Sequence, residues 1–176
     1  MSRDILFDHG NARFSYRISA LIMQGNRALL QCPVGTQDFA FIGGHVAFGE
    51  TAKDTLVREI REELHTDAVI GDLCAVGEVF IDWGKLPDGG MRHCHQIGLY
   101  FRATVDESQL PPADRFFGYD EAGGEKYSIE YIWVPLEELP RLTVYPPEVA
   151  AHLLSGSKDV LHFAYTELPG DTRWPD

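Results

Sequence analysis

Between Thr51 and Leu64 the chain changes period. Leu56, Val57, Ile60 and Leu64 recur at helical spacing among charged residues, while the segments on either side are rich in strand-forming residues. The spacing predicts an amphipathic helix over Thr51–Leu64 whose apolar stripe can pack on a sheet. Thr51 is the expected N-cap, with Asp54 three residues later as the acidic half of an approximate capping box.

The surrounding sequence supplies strands for that helix. Phe14–Met23 (FSYRISALIM) and Arg27–Cys32, joined by Gln24-Gly25-Asn26, predict a hairpin. Pro33–Asp38 is expected to be a loop, and Phe39–Phe48 places apolar residues around Gly43-Gly44, a pair suited to close backbone approach. Asp67–Trp83 predicts one or two strands, Lys85–Arg92 a turn-rich loop, and His93–Val105 the antiparallel partner. Asp106–Tyr127, with Pro111-Pro112 and Gly123-Gly124, is expected to be a long polar loop, and Ser128–Val134 a further strand. Leu136–Leu139 and Pro147–Leu154 predict short helices, the second stopped by Gly156. With no repeat or linker in view, the expectation is one domain over residues 1–176.

Charge narrows the partners. Lys and Arg number 15 against 27 Asp and Glu, a net charge of −12, and no basic block appears. Such a chain repels a phosphate backbone, so nucleic acid is not an expected partner. A small phosphate ligand would need a local cation, and a metal ion can supply it. Cys32, Cys74 and Cys94 are sparse and odd in number, which predicts reduced thiols. The first residues lack a signal-peptide core, and no apolar run approaches the ~20 residues of a membrane helix. A cytoplasmic protein without a membrane partner is therefore expected.

On the predicted helix Glu59, Glu62 and Glu63 share one face. Three carboxylates so placed repel one another unless a cation lies among them, and hard oxygen donors suit Mg²⁺ or Mn²⁺. An RExxEE run by itself is an ordinary solvated helix face with Arg58 and Glu62 as an i, i+4 pair. What sets this one apart is the spacing Gly44-x5-Glu50-x7-Arg58-Glu59-Ile60-x-Glu62-Glu63 behind Gly43.

In that register the chain resembles the Nudix hydrolase family, whose box is G-x5-E-x7-R-E-U-x-E-E-x-G-U with U a bulky aliphatic. Two positions depart: His65 stands where the family has glycine, and Thr66 where it has an aliphatic residue. The family's glycine closes the helix in a left-handed conformation, which a histidine either adopts at some cost or avoids by ending the helix differently. His65 is thus expected to alter the loop rather than the carboxylates, and Thr66 to remove a little packing. FSYRISALI before the box and EYIWVPLEEL near the end also sit where the family places strands and a short helix.

The resemblance implies an α+β fold, an α/β/α sandwich around a mixed sheet with Thr51–Leu64 as catalytic helix. It implies hydrolysis of a nucleoside diphosphate linked to another moiety, by water attacking a phosphorus. Carried over residue by residue, Glu59, Glu62, Glu63 and the carbonyl of Gly43 would hold Mg²⁺ or Mn²⁺. Glu50 and Arg58 would orient the carboxylates, and Glu59 or Glu62 would act as base. Some members recruit a loop carboxylate, for which Glu121, Glu125 and Glu130 are the candidates. Gly44, Arg17, Phe39 and Trp83 are the substrate-binding candidates, the aromatics for stacking on a base and Arg17 for a phosphate. Val79–Trp83 has neither the Pro nor the Tyr that marks ADP-ribose and dinucleoside polyphosphate members, which argues against both groups. His93 and His95 would face one side of a strand and Cys94 the other, so a structural or pocket-lining pair is expected rather than a zinc site. Homodimerisation is common in the family. The competing reading is a nucleotide-binding regulator on the same fold, favoured by His65 and opposed by the intact trio.

Overall fold

The computed structural model describes residues 3–122, 125–168, 170 and 173–174, with side chains described outside 120–126. The strands are β1 (Leu6–His9), β2 (Ala12–Gln24), β3 (Arg27–Pro33), β4 (Asp38–Ala40) and β5 (Ile42–His45). Helix α1 (Ala52–Leu64) follows, then β6 (Ala68–Lys85), β7 (Met91–Val105), β8 (Arg115–Ala122) and β9 (Glu125–Pro135). A 3-10 turn at Leu136–Arg141, β10 (Thr143–Tyr145), α2 (Pro147–Ser155) and β11 (Leu161–Thr166) complete the order.

Strand β2 organises the molecule because it contributes side chains to the cores on both sides of the sheet. Ile18, Ala20 and Ile22 enter one core with Leu56, Ile60 and Leu64 of α1. Leu21 enters a second with Tyr100 of β7 and Val149 and Leu153 of α2. Helices thus lie on opposite faces of the mixed sheet, the α/β/α arrangement. Parallel pairs join β2 to β7, β6 to β11 and β4 to β10. Antiparallel pairs join β1 and β5 to β2, β6 to β7, and β9 to both β3 and β8.

The expected hairpin of β2 and β3 forms, but its pairing is confined to Met23 with Ala28 and Gln24 with Arg27. Beyond those pairs the strands part, β2 to β5 and β7, and β3 to β9. The Lys85–Arg92 loop is shorter than expected because β6 and β7 extend into it, closing with Lys85 opposite Met91. The expectation of a long loop over Asp106–Tyr127 is corrected. After a 3-10 turn at Glu107–Gln109 the segment forms β8, which pairs with β9 from Arg115–Ile132 to Ala122–Glu125.

Helix α1 begins as its sequence requires. Thr51 Oγ1 accepts from the Asp54 N–H at 3.2 Å, and the Thr51 N–H donates to the Asp54 carboxylate at 3.1 Å, closing the capping box. At the other end His65 is left-handed (φ 55°, ψ 34°), and its N–H donates to the Arg61 carbonyl. The histidine adopts the glycine conformation and the helix ends where it should. Thr66 is buried, and its hydroxyl donates to the Asp106 carbonyl at 3.0 Å, an anchor between α1 and the segment leaving β7. Val57 is only half-buried, and Thr55 takes its place on the inner face.

The three cysteines are free and buried. Burial raises each thiol above its ordinary pKa, helped at Cys32 by Glu130, and pushes Cys94 up to about 11. A buried thiol with little thiolate at pH 8 is a poor nucleophile. The native protein should therefore leave a thiol reagent unreacted at pH 8, with all three cysteines titrating only in denaturant. A rapid thiol in the native state would contradict this placement.

Candidate active site

The acidic face of α1 is organised by one guanidinium. Arg58 Nη1 donates to Glu59 Oε1 at 2.9 Å and to Glu62 Oε2 at 3.1 Å, while Nε and Nη2 reach Glu50 at 3.3 Å. Thr55 Oγ1 donates to Glu50 Oε2 at 2.9 Å, so the buried face of α1 fixes the far end of the same network. Burial alone would pull Arg58 down, but Glu59, Glu50 and Glu62 outweigh it and raise its pKa. The cation is locked on, and charge-assisted bonds of this kind are the strong ones.

Two glycines let the preceding strand approach. A Cβ on Gly44 would land on the Glu59 carboxylate, and one on Gly43 would run into the Ile18 carbonyl oxygen. Strand β5 pairs with β2 here, Gly44 opposite Ile18 and Gly43 opposite Ser19. The Glu59 carboxylate therefore rests on bare backbone beside the glycine pair. Arg17 approaches from β2, its Nη2 3.5 Å from the Gly43 carbonyl oxygen.

Glu63 is turned inward and is only 8% exposed. Its Oε2 accepts from the hydroxyl of Tyr131 in β9 at 3.2 Å. Among the described residues no three carboxylate, imidazole or thiol groups are gathered as if around an ion. Glu59 and Glu62 instead engage Arg58, and Glu63 engages Tyr131.

Two hollows adjoin this network. One, of about 770 Å³, is lined by Glu59, Glu62, Glu63 and His65 of the α1 region and by Phe117 and Tyr119 of β8. The other, of about 200 Å³, lies on the sheet face that carries Tyr100 and runs from Arg17 past Phe41 and Gln96 to Tyr145, Tyr165 and Glu167. A further hollow of about 400 Å³ between Arg27, Asp114 and Trp133 contains none of the box carboxylates.

Sequence reasoning placed Glu50, Arg58, Glu59, Glu62, Gly43, Gly44 and Arg17, and the fold brings all seven together. Phe39 is packed in the core with Leu21 and Val144 and lines neither cavity; Phe41, two residues on, lines the smaller one. Trp83 is engaged within the protein, stacked on His45 at 5.6 Å with the Arg13 guanidinium 5.2 Å from its ring centroid. Burial, then Arg17, lowers the His45 pKa to about 4, so this imidazole is neutral at neutral pH. Glu130 pairs with Arg115 at 2.8 Å, accepts from the Cys32 thiol, and does not line the carboxylate cavity. The side chains of Glu121 and Glu125 lie outside the described residues. His93 pairs with Asp82 at 2.6 Å and His95 lies 4.5 Å from the Phe80 ring, while Cys94 is buried on the other face. Tyr131, Phe117 and Tyr119 were missed. For Phe117 and Tyr119 the signal was their alternation within residues 115–119, obscured by the prolines before it and the glycines after it; for Tyr131 there was none.

Comparison with known proteins agrees with the fold. A protein described as MutT4 from Mycobacterium tuberculosis (strain CDC 1551 / Oshkosh) is 32% identical over 105 residues, which are 60% of this chain and 36% of that one. The chain thus spans about a third of the length of that curated relative, 36% of it. Among solved structures, an ADP-ribose pyrophosphatase from Streptococcus suis superposes with a TM-score of 0.55 over 85% of this chain and 98% of that one, at 16% identity. A mutator MutT protein from Bacillus halodurans does so with a TM-score of 0.54 over 87% and 91%, also at 16% identity. Identities this low speak of the fold alone. The NUDIX domain model matches residues 14–153, and with most of its length matched the chain belongs to the Nudix family.

Proposed function

We propose that this chain is a metal-dependent pyrophosphohydrolase that cleaves a nucleoside diphosphate linked to another moiety. The observation that carries the proposal is the set of Glu59, Glu62 and Glu63 on one helix face, braced by Arg58 and Glu50 and seated on the bare backbone of Gly44. Arg58 offsets part of the repulsion within this trio, and a divalent cation would offset more.

The donors are hard oxygens of the kind Mg²⁺ or Mn²⁺ takes, and to hold an ion Glu59 and Glu62 would turn from Arg58, and Glu63 towards them. Glu59, Glu62, Glu63 and the Gly43 carbonyl would hold it. When bound, the ion neutralises phosphate charge and activates water. Arg17 orients the pyrophosphate next to Gly43. Glu50 and Arg58 keep the carboxylates aimed. Glu59 or Glu62 takes the proton of the attacking water as its oxygen bonds to phosphorus and the bridging P–O bond breaks. The cavity from Arg17 to Tyr165 would receive the nucleoside, with Phe41, Tyr145 and Tyr165 offering apolar and aromatic surface.

The same reading makes residues 1–176 one Nudix domain acting in the cytoplasm on a small-molecule nucleotide, with neither nucleic acid nor membrane as partner. Among the described residues no helix is long and apolar enough to cross a membrane. The regulator reading drew on His65, and His65 closes α1 in the family's backbone conformation, so no observation favours it.

A phosphate-release panel with Mg²⁺ or Mn²⁺ tests the proposal. It comprises nucleoside triphosphates, oxidised ones among them, nucleotide sugars, ADP-ribose, NADH and dinucleoside polyphosphates. Turnover of one class is expected. Silence across the panel together with tight nucleotide binding would move the assignment to the regulator.

A further inference from the structure

A carboxylate buried as deeply as Glu63 must be hydrogen-bonded or it is driven towards neutrality. One donor to it comes from far along the chain: Tyr131 of β9, itself 0% exposed, whose hydroxyl lies 3.2 Å from Glu63 Oε2. Two features hold that hydroxyl in place. Phe116 of β8 stacks on the Tyr131 ring, with centroids 5.3 Å apart and planes 24° from parallel. Two residues on along β8 lies Gly118, where a Cβ would lie 2.9 Å from Tyr131 Cε2 and 3.5 Å from the Glu63 carbonyl oxygen. A side chain at position 118 would push the ring off its seat, so the glycine provides clearance for the Tyr131–Glu63 contact.

We propose that Tyr131 is a positioning residue for Glu63, with Gly118 as its clearance. The hydroxyl fixes the direction of one carboxylate of the trio before any ligand arrives, and that carboxylate then has less freedom to lose when it binds a cation. Neither residue belongs to the box that ends the helix. The proposal rests on the metal reading above.

The test is binding of Mn²⁺ alone to the full chain, without nucleotide or turnover, followed by calorimetry or by the paramagnetic signal of free Mn²⁺. Tyr131→Phe keeps the ring and removes the hydroxyl, and should weaken Mn²⁺ affinity about 10-fold, the lower end for a residue that orients a ligand. Gly118→Ala should weaken it in the same direction by crowding the ring. Phe116→Leu loosens the stack but leaves the hydroxyl, and should weaken Mn²⁺ binding less than Tyr131→Phe does. Equal weakening in Tyr131→Phe and Phe116→Leu would assign the effect to packing and overturn the proposal. Wild-type affinity in a folded Tyr131→Phe protein would overturn it while leaving the metal reading intact. A wild type that binds no Mn²⁺ would remove the metal reading and this proposal together.

Discussion

Replacing Glu62 with Gln is expected to lower kcat by at least ~10²-fold, the scale for losing a general base or metal-bound nucleophile, while leaving the fold intact. The two halves of that expectation have separate causes. The Glu62 side chain is 60% exposed, and its ion pair is the i, i+4 contact with Arg58. Contacts of that kind contribute about 0.3–0.5 kcal/mol, so the melting temperature should scarcely move. Arg58 keeps Glu50 and Glu59, so the remaining carboxylates stay braced. What the amide removes is charge at the open edge of the acidic cavity, where water would be activated. Turnover near that of the wild type, in a variant whose circular dichroism and melting are unchanged, would leave the box mechanism without its exposed carboxylate.

Ile60→Ala should have the largest effect on stability. Ile60 is 0% exposed and lies in the core shared by β2, β5 and α1. Truncating such a side chain costs about 2–5 kcal/mol through lost burial and the cavity left behind. Against a total of about 5–15 kcal/mol for an ordinary domain, that is a large share. At about 2–4 °C per kcal/mol for a chain of this length, melting should fall by roughly 4–20 °C. Val57, half-buried one turn away, offers an internal comparison, and Val57→Ala should shift melting far less. Because Ile60 sits beside Glu59 in sequence, activity of Ile60→Ala should follow the folded fraction. A melting change as small as that of Val57→Ala would mean that α1 is held by something other than its apolar stripe.

The parts of this molecule set by local chemistry were legible in its sequence. The period of α1 and its capping box each depend on residues a few positions apart, whereas His65 was expected to alter the loop and instead closes the helix left-handed. The acidic trio and the Gly43-Gly44 approach followed from spacing along one helix and one strand. Contacts between distant strands were not legible in the same way. The segment holding β8 carries two prolines and a glycine pair, which point to a loop, yet pairing with β9 makes its middle a strand. Tyr131 is 68 residues from Glu63, and no local pattern connects them. Phe39 and Phe41 have the same parity, so alternation alone puts them on one face. Both rings do enter one core, but the strand breaks at Phe41, between β4 and β5, and only Phe41 also lines the smaller cavity. Trp83 looked available for stacking because its neighbours across the sheet, His45 and Arg13, come from strands far away in sequence.

The central claim is that the α1 carboxylates hydrolyse a pyrophosphate through a divalent cation. Its most direct test is turnover of the best panel substrate after chelation and again after Mg²⁺ is restored. The account predicts hydrolysis at background with the chelator, recovery on re-addition of Mg²⁺, and no recovery in Glu62→Gln. Undiminished hydrolysis in the chelator would contradict it.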